Sequence, residues 1–191
     1  MTDLIRQLHI DHVNFSRLLG VLKSQLELSA CGQPTDYELM QDVMSYMTGY
    51  PDIKHHPTEN LIFHAVALRM PDLKNTTAGL ENDHAELTEK ATGFLDALGD
   101  VMDGTLADRN LITTRGHDYI EFLNRHMHKE EDKVFSLAEE LLLDEDWRAI
   151  KDKISDMQDP LFGSVVEDSY RRLYGLITQD AASTGSTFSR T

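Results

Sequence analysis

Apolar positions recur along this chain at steps of three and four, and a few of the steps land on ionisable residues. Leu8, His12, Phe15, Leu19, Leu22 and Leu26 form one such series near the start. Leu80, His84, Leu87, Ala91, Phe94, Leu98 and Val101 form a second, and Tyr119, Leu123, His126, Glu130, Val134, Leu137 and Leu141 a third. This alternation is the buried seam of a helix in a bundle. Turn signals at Cys31-Gly32-Gln33-Pro34, Met70-Pro71-Asp72 and Asp103-Gly104-Thr105 separate the periodic segments. Together they predict four long helices, over residues 2–30, 36–69, 75–102 and 109–142. The second should be kinked, because Pro57 cannot donate a hydrogen bond to the carbonyl of Ile53.

Beyond the fourth helix, Trp147 to Met157 and Leu161 to Ile177 read as two shorter amphipathic stretches, split by Asp159-Pro160, that pack outside the bundle. From Asp180 the chain is rich in Ser, Thr and Gly and reads as a disordered tail. The expected organisation is therefore a bundle over 1–143, a helical extension over 144–179 and a tail over 180–191. Composition agrees with an all-α, up-down-up-down four-helix bundle. The chain has 191 residues, 40% of them apolar, with only 11 Gly and 5 Pro, which suits one domain of helices.

Charge narrows the class. A net charge of −15 with no Lys/Arg-rich run argues against nucleic acid or an anionic membrane surface as partner. Met1-Thr2-Asp3-Leu4 does not open a signal segment, and no apolar run approaches a membrane span, so a cytoplasmic protein is expected. Cys31 is the sole cysteine. It excludes an intramolecular disulfide and a thiolate metal cluster, and reads as a reduced residue near a helix end.

A buried His or Glu without a partner costs on the order of a few kcal/mol, so several on inward seams need something to satisfy them. The inventory is His12 from the first helix, His55 and Glu59 from the second, His84 from the third, and His126 and Glu130 from the fourth. Imidazole and carboxylate together suit Fe, Zn and Mn, and bundles build such sites from facing helices. The two His-x-x-x-Glu pairs aim both groups at one point, and the glutamates can bridge two metals. By the same helical geometry His64, His117 and His128 face away. His9 lies at the edge of the ligand face, near enough to support His12. His56 lies about 60° from Glu59 and, with the kink at Pro57, stands open as a ligand. Tyr119, two turns before His126, is a candidate hydrogen-bond donor to the site or an ordinary core aromatic.

These residues resemble the hemerythrin-like, or HHE cation-binding, family. The resemblance rests on Ile10-Asp11-His12, on Tyr50-Pro51-Asp52-Ile53-Lys54-His55-His56-Pro57-Thr58-Glu59, on Glu81-Asn82-Asp83-His84, and on His126-Met127-His128-Lys129-Glu130-Glu131 leading to Val134-Phe135. It covers about residues 3–142. The resemblance implies two iron ions bridged by an oxygen species and two carboxylates, with His12, His55, Glu59, His84, His126 and Glu130 as ligands. Zinc or manganese would fit the same donors. One departure stands out. Oxygen-carrying hemerythrins have a second histidine four residues after the third-helix ligand, and here that residue is Thr88. His56 stands where some members have an additional ligand. The Asp159-Pro160-Leu161-Phe162-Gly163 segment and the helix after it look like an extension found in some bacterial members. Two functions are compatible with this reading. One is an oxidoreductase reducing peroxide or nitric oxide, or repairing iron-sulfur clusters. The other is reversible binding, sensing or iron handling, with dioxygen, nitric oxide or peroxide as the small partner.

Overall fold

The computed structural model describes residues 1–104 and 109–184. Its elements are α1 (Asp3–Ala30), α2 (Tyr37–Met47), α3 (His56–Arg69), α4 (Lys74–Met102), α5 (Arg109–Glu130), α6 (Ser136–Leu141), α7 (Asp144–Lys151) and α8 (Arg171–Thr184), and no strand occurs among the described residues. The first three expected helices begin within a residue of their predicted starts. Thr2 caps α1 by accepting the Ile5 N–H, and Asp36 caps α2 by accepting that of Leu39 at 2.8 Å. Gly32 and Gly104 take positive φ, 68° and 71°, directly after α1 and α4, where a side chain would be strained.

The bundle interior is layered. At one end Ile5, Leu8, Ile62, Phe63, Val66, Leu80, Val134 and Phe135 form an apolar cluster that Trp147 and Ile150 of α7 complete. At the other, Phe15 to Leu26, Leu39 to Tyr50, Leu87 to Leu98 and Ile112 to Met127 contribute to a larger one. Between the two lies a layer of buried polar groups: Asp11, His12, His55, His56, Glu59, His84, His126 and Glu130. The order in which each helix crosses these layers makes α1, α2–α3, α4 and α5 alternate in direction. Close approach of α1, α4 and α5 depends on Gly116, where a Cβ would stand 2.7 Å from both Leu26 methyls and 3.0 Å from the Phe94 ring.

Two predicted helices are interrupted. The second stops at Met47, turns through Thr48-Gly49, and passes through a π-helical turn over Pro51–His55 before α3. The His56 N–H reaches the Pro51 carbonyl there, five residues back. This wide turn takes up the disruption expected at Pro57. A second π turn, Glu131–Phe135, follows α5 with no proline to announce it. Its extra residue advances the seam by one position. Phe135, Ala138 and Leu142 are therefore buried, whereas Leu137 and Leu141, expected on the seam, are only half-buried.

The extension is less helical than its amphipathic pattern predicts. Trp147 to Met157 is helical only as far as Lys151, and Leu161 to Ile177 only from a short 3₁₀ turn at Asp168–Tyr170 onward. The cause is local. Asp159 accepts the N–H groups of Leu161 and Phe162, both at 2.8 Å, and the Pro160 carbonyl accepts that of Glu167 at 2.9 Å. A Cβ on Gly163 would collide with the Asp159 carbonyl, so the loop closes only with glycine there. Leu161, Phe162, Leu173 and Ile177 then join the larger apolar cluster. Arg172 ties α8 to α2 through Asp36, Glu38 and Asp42. Helix α8 continues to Thr184, past the Asp180 at which a disordered tail was expected, with the helix-favouring Ala181-Ala182 in that stretch; residues 185–191 lie outside the described part.

Candidate metal centre

Four helices deliver the polar layer. His12 comes from α1, His55 from the π turn before α3 and Glu59 from α3 itself, His84 from α4, and His126 and Glu130 from the last turns of α5. Glu59 and Glu130 are fully buried side by side, a costly arrangement unless positive charge lies between them.

The carboxylate oxygens divide between two pairs of histidines. Oε1 of Glu59 faces Nε2 of His55 at 3.0 Å and Nε2 of His12 at 3.4 Å, and its Oε2 faces Nε2 of His84 at 3.3 Å. Oε2 of Glu130 faces Nε2 of His12 at 3.4 Å, while its Oε1 faces Nε2 of His126 at 3.0 Å and of His84 at 3.6 Å. One donor group thus contains His12, His55 and Glu59, and the other Glu59, His84, His126 and Glu130. Both oxygens of each glutamate and Nε2 of His12, His84 and His126 are buried without a properly directed hydrogen bond. So many orphaned donors converging on one layer is what cation coordination leaves when only protein atoms are counted.

The outer nitrogens of the rings are held individually. Carboxylates only accept, so Nδ1 of His55 donates to Asp11 Oδ2 at 3.0 Å and Nδ1 of His12 to Glu131 Oε1 at 3.0 Å. Nδ1 of His84 meets the Asn60 amide oxygen at 3.0 Å. Nδ1 of His126 stands 3.6 Å from Asp83, beyond hydrogen-bond range. With a proton fixed on the outer nitrogen, Nε2 of His12, His55 and His84 is aimed inward and available to a cation. Phe135 stacks on His12, Phe15 meets His55 edge-on and Phe63 stacks on His84, so apolar rings wall the layer from water.

Burial lowers the proton affinity of the ring nitrogens, but the carboxylates around them more than reverse this, Glu59 and Asp11 at His55, Glu130 and Glu59 at His84, and Glu130, Glu131 and Glu59 at His12. His55 and His84 are each raised to about 9, and His12 well above its ordinary value. Burial alone would raise the carboxyl groups, yet Glu59 is held well below its usual range by His55, His12 and His84, and Glu130 is lowered to about 2 by His12, His126 and His84. The protein groups by themselves thus favour ionised carboxylates with cationic partners.

His56 behaves differently. It is buried and stacks on His84 with ring centres 4.3 Å apart, but its Nδ1 pairs with Asp52 at 3.1 Å and it belongs to neither donor group. Burial lowers it to about 4, so it is neutral at physiological pH. It lines a narrow cavity of about 10 Å³ together with Asp52, Thr88, Tyr119 and Leu123, room for roughly one water-sized molecule. Burial and the nearby Asp52 carboxylate push the Tyr119 phenol above its ordinary proton affinity. His64 and His128 are exposed and His117 half-buried, each away from the donor layer, and His9 reaches Glu131 at 2.9 Å beside His12. Cys31 is exposed at the end of α1. Asp11, Asn60 and Glu131 carry no periodic signal of their own and do not stand out in the sequence as parts of the site. Only their position beside a ligand-face residue could have suggested them.

An antiparallel helical bundle with a buried His/Glu donor layer between two apolar cores fits a metal-binding domain. The model of the hemerythrin HHE cation-binding domain matches residues 3–138, and the chain belongs to that family. No curated protein and no solved structure matches significantly. Among the described residues no helix is long and apolar enough to cross a membrane.

Proposed function

We propose that this chain is a non-heme di-iron protein whose metals react with peroxide, dioxygen or nitric oxide. The supporting observation is the division of the four glutamate oxygens between two histidine pairs. On this reading His12 and His55 would hold one ion and His84 and His126 the other, with Glu59 and Glu130 serving both. Iron is favoured over manganese or zinc by the family, since the donor chemistry accepts all three. Bound iron would supply Lewis acidity and one-electron redox change; the protein supplies fixed ring orientation, charge compensation and exclusion of bulk water.

Turnover is favoured over reversible carriage by the ligand count. His56 lies outside both donor groups, and Thr88 offers a hydroxyl that donates to the His84 carbonyl at 3.2 Å. Four histidines rather than five then leave a coordination position for an incoming molecule. Stopped-flow mixing of the ferrous protein with oxygen and, separately, with hydrogen peroxide tests this. Rapid oxidation with peroxide consumption is expected, and a stable, reversible oxygen adduct without peroxide turnover would overturn it. Elemental analysis of the purified protein tests the iron assignment, and zinc alone with full occupancy would remove the redox reading. Replacing His56 by Ala should leave metal content unchanged.

A further inference from the structure

A path of tyrosines leads from the donor layer to the C-terminal segment. Tyr46 and Tyr50 are buried one helical turn apart, with rings stacked at 5.9 Å and 20° between their planes. Each phenol donates to a buried carboxylate. Tyr50 donates to Asp11 Oδ2 at 3.2 Å, the same oxygen that takes the His55 Nδ1 proton, and Tyr46 donates to Asp159 Oδ2 at 2.9 Å. The far side of Tyr46 meets Tyr170 edge-on at 5.8 Å, and Tyr170 is partly exposed. Ring and hydrogen-bond contacts therefore run unbroken from His55 to the surface.

We propose that Tyr46 is a redox-active residue, the centre of a relay in which Tyr50, Tyr46 and Tyr170 pass single electrons from a surface donor to the metal centre while Asp159 holds the Tyr46 proton. The relay rests on the redox function proposed for the metals and specifies how their electrons arrive. A buried phenol gives up an electron readily only if its proton has somewhere to go, because a cationic ring in an apolar interior is costly. Asp159 meets that need. It is already hydrogen-bonded to the phenol, and burial, opposed by the Phe162 and Leu161 N–H groups, raises its proton affinity above that of an exposed carboxylate.

Tyr46 loses one electron through Tyr50 to the centre and its phenolic proton to Asp159, leaving a neutral tyrosyl radical and a neutral carboxylic acid. A one-electron reductant of the ascorbate class, meeting Tyr170, returns the electron, and Asp159 returns the proton. Two such cycles supply the two electrons that, with two protons from solvent, convert one peroxide to two waters. Tyr119 is buried too, but it lies in the small cavity beside Asp52 and His56 and stands outside the run of contacts that joins Tyr50, Tyr46 and Tyr170.

The alternative is that the Tyr46–Asp159 bond only fastens the extension to α2. Tyr46→Phe keeps the ring and its stacking while removing the phenol, and so separates the two. Metal-loaded protein mixed with peroxide without a reductant and frozen within milliseconds should show a tyrosyl radical by electron paramagnetic resonance. Tyr46→Phe should lose most of that signal and slow ascorbate-dependent peroxide consumption with metal content unchanged, whereas Tyr119→Phe should keep the radical. A second arm does not depend on peroxide chemistry. In the metal-loaded Cys31→Ser/Ser169→Cys protein, a ruthenium photosensitiser attached beside Tyr170 and flashed with an electron acceptor should generate the same radical, again lost with Tyr46→Phe. Failure to consume peroxide would overturn the redox function, with the flash arm then judging the relay alone. Peroxide consumption with no Tyr46-dependent radical in either arm would overturn the relay.

Discussion

The two histidine pairs share the same two glutamates but differ in what stands behind them. Behind His12 and His55 are carboxylates, Glu131 and the buried Asp11, which also binds Tyr50 and Gln7. Behind His84 is the neutral amide of Asn60, and behind His126 an aspartate too distant to bond. A carboxylate accepting the outer N–H makes an imidazole a stronger donor and fixes its orientation. On the proposed di-iron reading the first pair would therefore hold its cation firmly. The second, beside His56 and its cavity, would on the same reading hold its cation more loosely. Two chemically similar donor sets become unequal through residues that stand behind them.

The largest effect should come from the groups common to both pairs. Glu59→Ala or Glu130→Ala should strip both ions, while His126→Ala should release mainly one, as read by elemental analysis after gel filtration. If each glutamate variant retained one ion, the shared role of the carboxylates would be lost. Next comes the inequality itself. Asp11→Asn should weaken binding at the first pair about 10–100-fold, and Asn60→Asp should bring the second pair closer to the first, both measured by competition with a chelator. Equal response of both ions to Asp11→Asn would erase the distinction.

A smaller effect concerns protons. His55 and His84 rise from an unfolded value near 6.5 to about 9 in the fold, so their stabilising contribution is complete below about 6.5 and disappears as pH climbs through about 9. Chelator-stripped protein should therefore melt lower at pH 9 than at pH 6.5, and metal uptake at pH 7 should release protons, seen as a buffer-dependent heat in calorimetry. Rising stability across that interval would contradict the assigned charge state. Smallest of all, His64→Ala and His128→Ala should retain full metal and change stability by no more than about 0.5 kcal/mol.

The seam residues were legible because a buried His or Glu at an apolar step is conspicuous against its neighbours. Helical period alone brought His12, His84, His126 and Glu130 to one layer, and the spacing of four paired His55 with Glu59. The period also fails in identifiable places. It treats a helix as having one pitch, so it could not register the π turn at Glu131–Phe135, and it put Leu137 and Leu141 where Ala138 and Leu142 are buried. It read Leu161 to Ile177 as continuous because side-chain capping by Asp159 leaves no trace in hydrophobicity. Nor does it separate His56 from His55. Both are buried with Nδ1 on a carboxylate, and only the inner face tells them apart: Nε2 of His55 lies 3.0 Å from Glu59, whereas His56 belongs to neither donor group.

The π turn after Glu130 has an evolutionary corollary. A π turn holds one residue more than an α turn while leaving the helices on either side facing as before, so it marks a point where the chain can gain or lose a single amino acid without a change of register. Deleting one residue within 131–135 should yield an uninterrupted helix that still buries Ala138 and Leu142, whereas the same deletion between His126 and Glu130 would turn the glutamate about 100° away from its partners. Single-residue length variation among relatives should accordingly concentrate just past Glu130 and be absent just before it.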